Sequence, residues 1–346
     1  MSFQCTELNV DLAGIKRIIE LNKKFVLTTH VNPDGDGLGS ELALHRVLKK
    51  LGKEASIFNH SAMPKNYEFL DPDADIQKFQ PQRHSDTVLT ADVIFVFDTN
   101  QPERLRTLQP YVQESKGIKI CVDHHLDKDD FADHYLIDEH ASACGEIVYR
   151  LIVELDDSYI DPHVARALYA AIMTDTGSFR FPRTDPEIHR IAAHLIERGA
   201  DPTEIYQMVY ESWHPGRFLL LGRALSGMKL EYEGRLAYLV ITRSMLEETA
   251  TSPEDTDNFT TFPMSIAGVV IGIMFAELDD GVKISFRSKG DIPINELAKA
   301  FGGNGHKNAA GARTLGSDKS GLEQIVPAVI EKSSEFLKQP LSESKS

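Results

Sequence analysis

No apolar run in the 346-residue chain approaches the roughly twenty residues that cross a bilayer as a helix. Cysteine is scarce: Cys5, Cys121 and Cys144 stand singly, with neither the even pairing of a disulfide framework nor the spacing of a zinc site. Cys121, inside the apolar run IKICVD, reads as a buried structural thiol. Positive charge is short as well, 37 Lys and Arg against 52 Asp and Glu, for a formal net charge of −15. A protein that tracks long nucleic acid needs the opposite balance, which excludes long duplex DNA as a partner but not a short anionic substrate held by cations. The opening MSFQCTELNVDL is too acidic and polar for a secretory signal, so a cytoplasmic location away from membranes is expected. Repeats and low-complexity tracts are lacking too. What remains, 42% hydrophobic and 26% charged residues, is the composition of a soluble globular protein, long enough for two domains.

The first half alternates short apolar runs with helical patterns, which predicts an α/β fold with a parallel sheet covered by helices. Strands are expected at Lys24–His30, Ala55–Asn59, Val93–Asp98 and Ile118–Asp123, with a helix at Leu38–Leu51 closed by Gly52. Residues 142 to about 227 read as mainly helical, at Ala143–Leu155, Pro162–Thr174, Pro186–Arg198, Pro202–Glu211 and Arg217–Met228, with proline near several starts. Strands at Arg235–Thr242, Gly268–Leu278 and Val282–Ser288, a helix at Asn295–Phe301, a glycine-rich loop, a strand near Ala310–Leu315 and a last helix from Gly321 to Leu337 make a smaller α+β unit.

Ligands in open parallel sheets bind beyond the carboxyl ends of the strands, and there the chain places chemistry-bearing side chains. HVNPDGDG gives a strand-end His30 followed by Asp34 and Asp36; Pro33, Gly35 and Gly37 are expected to keep this segment out of a helix and fold it around an ion. An EF-hand is excluded, because a strand precedes the motif and no glutamate closes it. Asp98 ends the run VIFVF, where a carboxylate is costly unless paired or bound to a cation. CVDHH crowds Asp123, His124 and His125 against another strand end; one imidazole can ligate metal while the neighbouring carboxylate orients it. Asp175 closes the helical run LYAAIMTD, where the helix dipole disfavours negative charge unless a cation is near. Hard carboxylates with borderline imidazoles fit two Mn²⁺ or Mg²⁺ ions and displacement at phosphorus. Histidines on the expected helices, His45, His163, His189 and His194, read as packing or surface residues.

In the C-terminal half, Gly302, Gly303 and Gly305 allow close approach of backbone to a phosphate, and His306 and Lys307 add donors. Beside Arg287 and Ser288 in SFRSKG, the loop reads as a grip for a nucleotide's phosphate or base. Arg104 and Arg180 are further candidates for phosphate.

Together these segments resemble the DHH phosphoesterase superfamily, named for the triplet Asp123-His124-His125. HVNPDGDGLGS is similar to its first motif, FDTN to its second, VDHH to its third and TDTGSF to its fourth, while FRSKGDIPINELAKAFGGNGHKNAAGA resembles the C-terminal DHHA1 nucleic-acid-binding domain; Asn304 stands where that loop usually has glycine. The subgroup most similar in size is that of the bifunctional oligoribonucleases and pAp phosphatases. The resemblance implies a DHH domain over residues 1–199, a helical connector over 200–229 and a DHHA1 domain over 230–340. It implies two Mn²⁺ ions (Mg²⁺ being the alternative), His30 and Asp34 holding the first, Asp36, His124 and Asp175 the second, and Asp98 bridging. Asp123 then supports the site and His125 contacts the scissile phosphate, with hydroxide attacking in line. The expected substrates are short RNA oligonucleotides and 3′-phosphoadenosine 5′-phosphate (pAp), selected by a clamp at Arg287 and His306; a homodimer is expected by resemblance alone. Competing readings are a phosphodiesterase for cyclic di-AMP or pApA, an inorganic pyrophosphatase and a non-catalytic nucleotide sensor, the last disfavoured because all six ligand residues are present.

Overall fold

The computed structural model describes residues 11–125, 129–315 and 321–337. It divides into two compact units, Met1–Ser212 and Trp213–Ser346.

The first unit runs α1 (Leu12–Leu21), β1 (Lys24–Thr29), α2 (Gly35–Lys50), β2 (Glu54–Asn59), β3 (Ile76–Lys78), α3 (Pro81–Leu89), β4 (Val93–Phe97), α4 (Gln109–Glu114), β5 (Ile118–Asp123) and β6 (His134–Ile137). Four helices follow: α5 (Cys144–Asp156), α6 (Pro162–Asp175), α7 (Pro186–Glu197) and α8 (Pro202–Tyr210). All six strands pair in parallel, in the order β3-β2-β1-β4-β5-β6. Because both faces are covered, the central strands read as continuous apolar runs rather than alternations. One face, with Phe25, Leu27, Phe95, Phe97, Ile120 and Val122, packs on α1, α2, α5, α6 and α7; the other, with Val26, Ile94 and Val96, packs on α3 and α4. The strand order reverses between β1 and β4, and the crevice outside such a reversal is the ligand site of open α/β sheets.

The second unit contains α9 (Pro215–Ser226), β7 (Lys229–Glu231), β8 (Leu236–Ile241), α10 (Arg243–Thr249), α11 (Thr261–Met264), β9 (Ile271–Leu278), β10 (Gly281–Ser288), α12 (Ile294–Lys299), β11 (Asn304–His306), β12 (Ala309–Leu315) and α13 (Leu322–Leu337). Its sheet, β11-β12-β10-β9-β8-β7, is antiparallel except for the parallel pair β8–β9. Ile273, Phe275, Ile284 and Phe286 face α12 and α13; Leu239, Ile241 and Met274 face α9 and α10.

Two expectations are corrected. Gly35, Asp36 and Gly37 are not held out of helix: they form the first turn of α2, because the Asp34 carboxylate caps it, accepting from the N–H groups of Asp36 and Gly37 at 3.1 and 3.3 Å and so replacing bonds the first turn otherwise lacks. The glycine-rich loop is in part a strand, since Asn304–His306 pairs with Ala309–Gly311. The small side chains serve that pairing, for a Cβ on Gly303 would lie 2.2 Å from the Gly311 carbonyl oxygen and one on Gly305 2.5 Å from the Ala310 Cα. The unit boundary after Ser212 falls inside the stretch expected to connect the domains, with α8 on one side and α9 on the other.

Candidate metal centre

Parallel register builds the site. Thr29 pairs with Phe97 and Phe97 with Val122, so the next residues along the three strands, His30, Asp98 and Asp123, follow in one row. Asp98 does so with φ 56°, a left-handed conformation that costs a non-glycine residue of order 1 kcal/mol or more; its N–H is tied to the Val122 carbonyl at 2.9 Å. Asp36 and Asp175 arrive from α2 and α6, whose ends meet closely: a Cβ on Gly35 would lie 2.6 Å from the Thr174 hydroxyl.

The six predicted ligand residues fall into two clusters that share no residue. His30, Asp34 and Asp98 offer ligand atoms within 4.8 Å of one another, as do Asp36, His124 and Asp175. Asp98 stands between them, with Oδ2 3.2 Å from His30 Nε2 and Oδ1 3.7 Å from His124 Nε2. His124 Nε2 also lies 3.8 Å from Asp36 and 3.3 Å from Asp175. A third grouping joins Asp98, His124 and His125 with Asp123.

Neighbouring groups aim these side chains. His30 Nδ1 meets the Val31 carbonyl at 2.9 Å and His124 Nδ1 the Ala141 carbonyl at 3.3 Å, which directs both Nε2 atoms inward. Asp36 accepts the Cys144 and Gly145 N–H groups at 2.6 and 2.8 Å, at the start of α5, where N–H groups lack helical partners. Asp123, fully buried, uses one oxygen for the His124 N–H at 2.8 Å, the His125 N–H at 3.3 Å and His125 Nδ1 at 2.5 Å; its other oxygen is buried with no hydrogen-bond partner among the described residues.

Electrostatics follow from crowding. Burial pushes the Asp36 carboxyl well up, reinforced by Asp98, Asp175 and Asp34, and burial with Asp98 and Asp34 does the same to Asp175. Burial also acts upward on Asp98, but the hydrogen bond and charge of His30, with His125 and His124, hold it below the carboxylate range. Burial lowers His124, leaving it neutral, the ligand form. His125 is the opposite case: burial alone lowers it, yet Asp123 and Asp98 outweigh that and raise it to about 9. A buried set so rich in carboxylate, with two imidazole Nε2 atoms aimed inward, fits divalent cations.

The other predicted residues are placed differently. Arg104 lies in the 3₁₀ turn Pro102–Leu108; its carbonyl takes the Val31 N–H at 2.8 Å, and its charge reaches His125. Arg180 turns back onto the Gly177 carbonyl at 2.6 Å. In the second unit, Arg287 on β10 pairs with Ala309, which pairs in turn with His306, so one row holds both; the His306 side chain lies outside the described residues. Ser288 donates to the Ile292 carbonyl and accepts from Asn308. Lys307 pairs with Asp291 at 2.7 Å on the exposed surface.

Three contributors escaped the sequence reading. Arg183 brings Nη1 to 3.4 Å from the carbonyls of His124 and Ala141 and acts on Asp175. The amides of Cys144 and Gly145 hold Asp36, and the small residues of SACGE before an apolar helical pattern were the available sign. Glu41, buried, receives the Asn59 amide at 2.8 Å, while the Asn59 oxygen takes the Thr29 N–H at 3.0 Å and the Thr29 hydroxyl donates to the Phe97 carbonyl at 2.9 Å. That relay ties together the residues just before His30 and Asp98.

The sheet, its reversal point and the carboxylate–imidazole clusters on its edge define the DHH class of phosphoester hydrolases. The chain belongs to the DHH family in the branch with a C-terminal DHHA1 domain: the model of the DHH family's N-terminal domain matches residues 24–172 and that of the DHHA1 domain residues 234–338. A protein of Thermus thermophilus named bifunctional oligoribonuclease and PAP phosphatase NrnA is 32% identical, over 88% of this chain and 87% of its own length; the protein of that name from Bacillus subtilis is 29% identical over 88% and 93%. The crystal structure of an exopolyphosphatase-related protein from Bacteroides fragilis superposes with a TM-score of 0.89 at 30% identity, covering 95% of this chain and 97% of that one. Among the described residues, no helix is long and apolar enough to cross a membrane.

Proposed function

We propose that this chain hydrolyses short RNA oligonucleotides to mononucleotides and pAp to AMP, with two divalent cations, Mn²⁺ foremost, held by His30, Asp34 and Asp98 and by Asp36, His124, Asp175 and the same Asp98. The observation that carries the reading is Asp98 itself, a carboxylate presenting one oxygen to each cluster. The names of the Thermus and Bacillus relatives support the substrate choice.

When bound, the cations supply an activated water and offset charge at phosphorus. The protein supplies orientation and a proton. Asp123 fixes the His125 ring through Nδ1, and the raised pKa of about 9 keeps that imidazole charged at neutral pH. His125 is therefore the donor to the phosphate or the departing oxygen. Arg104 and Arg183 add positive charge at the rim. In the second unit, Arg287, Ser288, Gly303, Gly305, His306 and Lys307 are the candidates for contacting a substrate phosphate; burial lowers Arg287, and the Asp257 charge acts against that shift.

The test is turnover of pAp, pApA, cyclic di-AMP and RNA dimers to pentamers with Mn²⁺, by wild type and Asp98→Ala. Wild type is expected to cleave pAp and the RNA dimers, and Asp98→Ala to lose both activities. Retained turnover in the variant overturns the shared-ligand site; cleavage of pApA about a hundredfold better than RNA dimers overturns the substrate choice.

A further inference from the structure

Within the first unit, a cavity of about 420 Å³ opens between α6 and α8, in the size range of small-ligand pockets, about 300–1,000 Å³. Tyr169 and Met173 line it from α6, Ser178 and Phe179 from the following loop, Tyr206 and Gln207 from α8. Its walls are mainly aromatic and apolar with a few polar atoms, the pattern of a site that stacks a flat ligand and reads its edge. Tyr206 is 42% exposed, although a surface helix normally turns polar residues outward. The Tyr210 ring, 4.9 Å away, braces it from one side.

A second observation ties this groove to the metal centre. Gly177, Ser178 and Phe179 have φ of 56°, 61° and 63°. Two non-glycine residues in succession in the left-handed region are strained, and such strain gathers at ligand sites. The turn is pinned by Ser178 N–H to the Met173 carbonyl at 2.8 Å and Phe179 N–H to the Thr176 hydroxyl at 3.0 Å. It begins two residues after Asp175. Ser178 is three positions from Asp175, so their Cα atoms lie at most about 11 Å apart. One tight, strained turn therefore carries a metal ligand at one end and a groove wall at the other.

We propose that this groove is a nucleobase subsite: it takes the base of the nucleotide whose phosphate lies at the metal centre, stacking it on Tyr206 and reading its edge with the Gln207 amide, which both donates and accepts. The proposal rests on the reading of the substrate as a nucleotide, and the experiment separates the two. Calorimetric titration of the Mn²⁺-loaded protein with AMP and with ribose 5-phosphate measures what the base contributes to binding. Wild type is expected to prefer AMP, Tyr206→Ala to lose about tenfold or more of that preference, the loss of one base–aromatic stack, and Tyr206→Phe to keep it. No preference in wild type, an unaltered preference in Tyr206→Ala, or an equal loss for both ligands overturns the subsite. Turnover of pAp and RNA dimers by wild type is measured alongside. If wild type cleaves neither while Tyr206→Ala selectively loses AMP, the substrate reading falls and the subsite stands; if it cleaves both and the AMP preference ignores Tyr206, the reverse holds.

Discussion

Asp123 spends one carboxylate oxygen on three donors, two of them from His125. Asp123→Asn keeps the shape and removes one of the two carboxylate charges, with Asp98, that raise His125. In steady-state assays on pAp it should lower kcat by about a hundredfold, the smaller end of what a positioned proton donor contributes, with less change in KM. Asn59 is the other residue whose worth exceeds its reactivity. Asn59→Ala strips Glu41 of the Asn59 hydrogen bond and Thr29 of its acceptor, a loss of about 1–3 kcal/mol, or several degrees in Tm by calorimetry. Glu41→Gln should be milder, because burial already pushes the Glu41 carboxyl well up toward its neutral form. Residue types at strand ends were legible because a charged side chain after VIFVF or IKICV has little reason to be there unless partnered. Partners such as Asn59, 18 positions from Glu41, left no local mark, and Arg183 looked like any loop arginine.

At the scale of elements, α6 shows how far an anchor can sit from the site it serves. Asp161 caps it, accepting from His163 and Val164 N–H groups and pairing with Arg46 and Lys50, while Asp175 closes its other end. Burial alone would raise Asp161, but the Val164 hydrogen bond and the Arg46 and Lys50 contacts hold it down at about 2. A depressed carboxylate adds stability that is present above its unfolded pKa and is lost as pH falls through the folded value. Asp161→Ala should therefore lower Tm near pH 7 by the equivalent of about 1–2 kcal/mol, with the difference from wild type shrinking as pH drops from about 4 toward 2; thermal melts across that range check it. The long central strands and the proline-led helices were legible because their patterns are strong. Ile76–Lys78, His134–Ile137 and Lys229–Glu231 were not: runs of three or four residues are too short to show a period and become strands because a sheet edge is waiting. The start of α2 was hidden for another reason, since the Asp34 cap outweighs two glycines.

For the whole molecule, separate cores on either side of residue 212 allow separate tests of chemistry and recognition. Arg287→Ala, in the second unit, should raise KM for pAp about tenfold or more, the loss of one charged partner for an anion, with a smaller effect on a simple aryl phosphodiester; equal effects on both substrates would remove it from recognition. The net charge of −15 ceases to be an argument against phosphate substrates once part of it is concentrated where cations bind. That much was readable from composition and motif order. The groove between α6 and α8 was not, because Tyr169, Ser178 and Tyr206 become neighbours only through folding.

Asp36 and Asp34, two residues apart, live in different surroundings. The first is buried, with both oxygens clasped by the amides of Cys144 and Gly145; the second is held through one oxygen only, by the Asp36 and Gly37 N–H groups, and is 54% exposed at its side chain. The position held through both oxygens has less room to follow an ion of another size, and water reaches it poorly; the exposed one, with one oxygen uncommitted to the cap, has more. If two cations bind as proposed, they should leave at different speeds. Mixing the Mn²⁺-loaded protein with excess chelator in a stopped-flow instrument should show release in a fast and a slow step, and Asp36→Asn should hasten the slow one. A cell short of metal would then meet half-loaded enzyme first, a form that retains one ion and waits for the other.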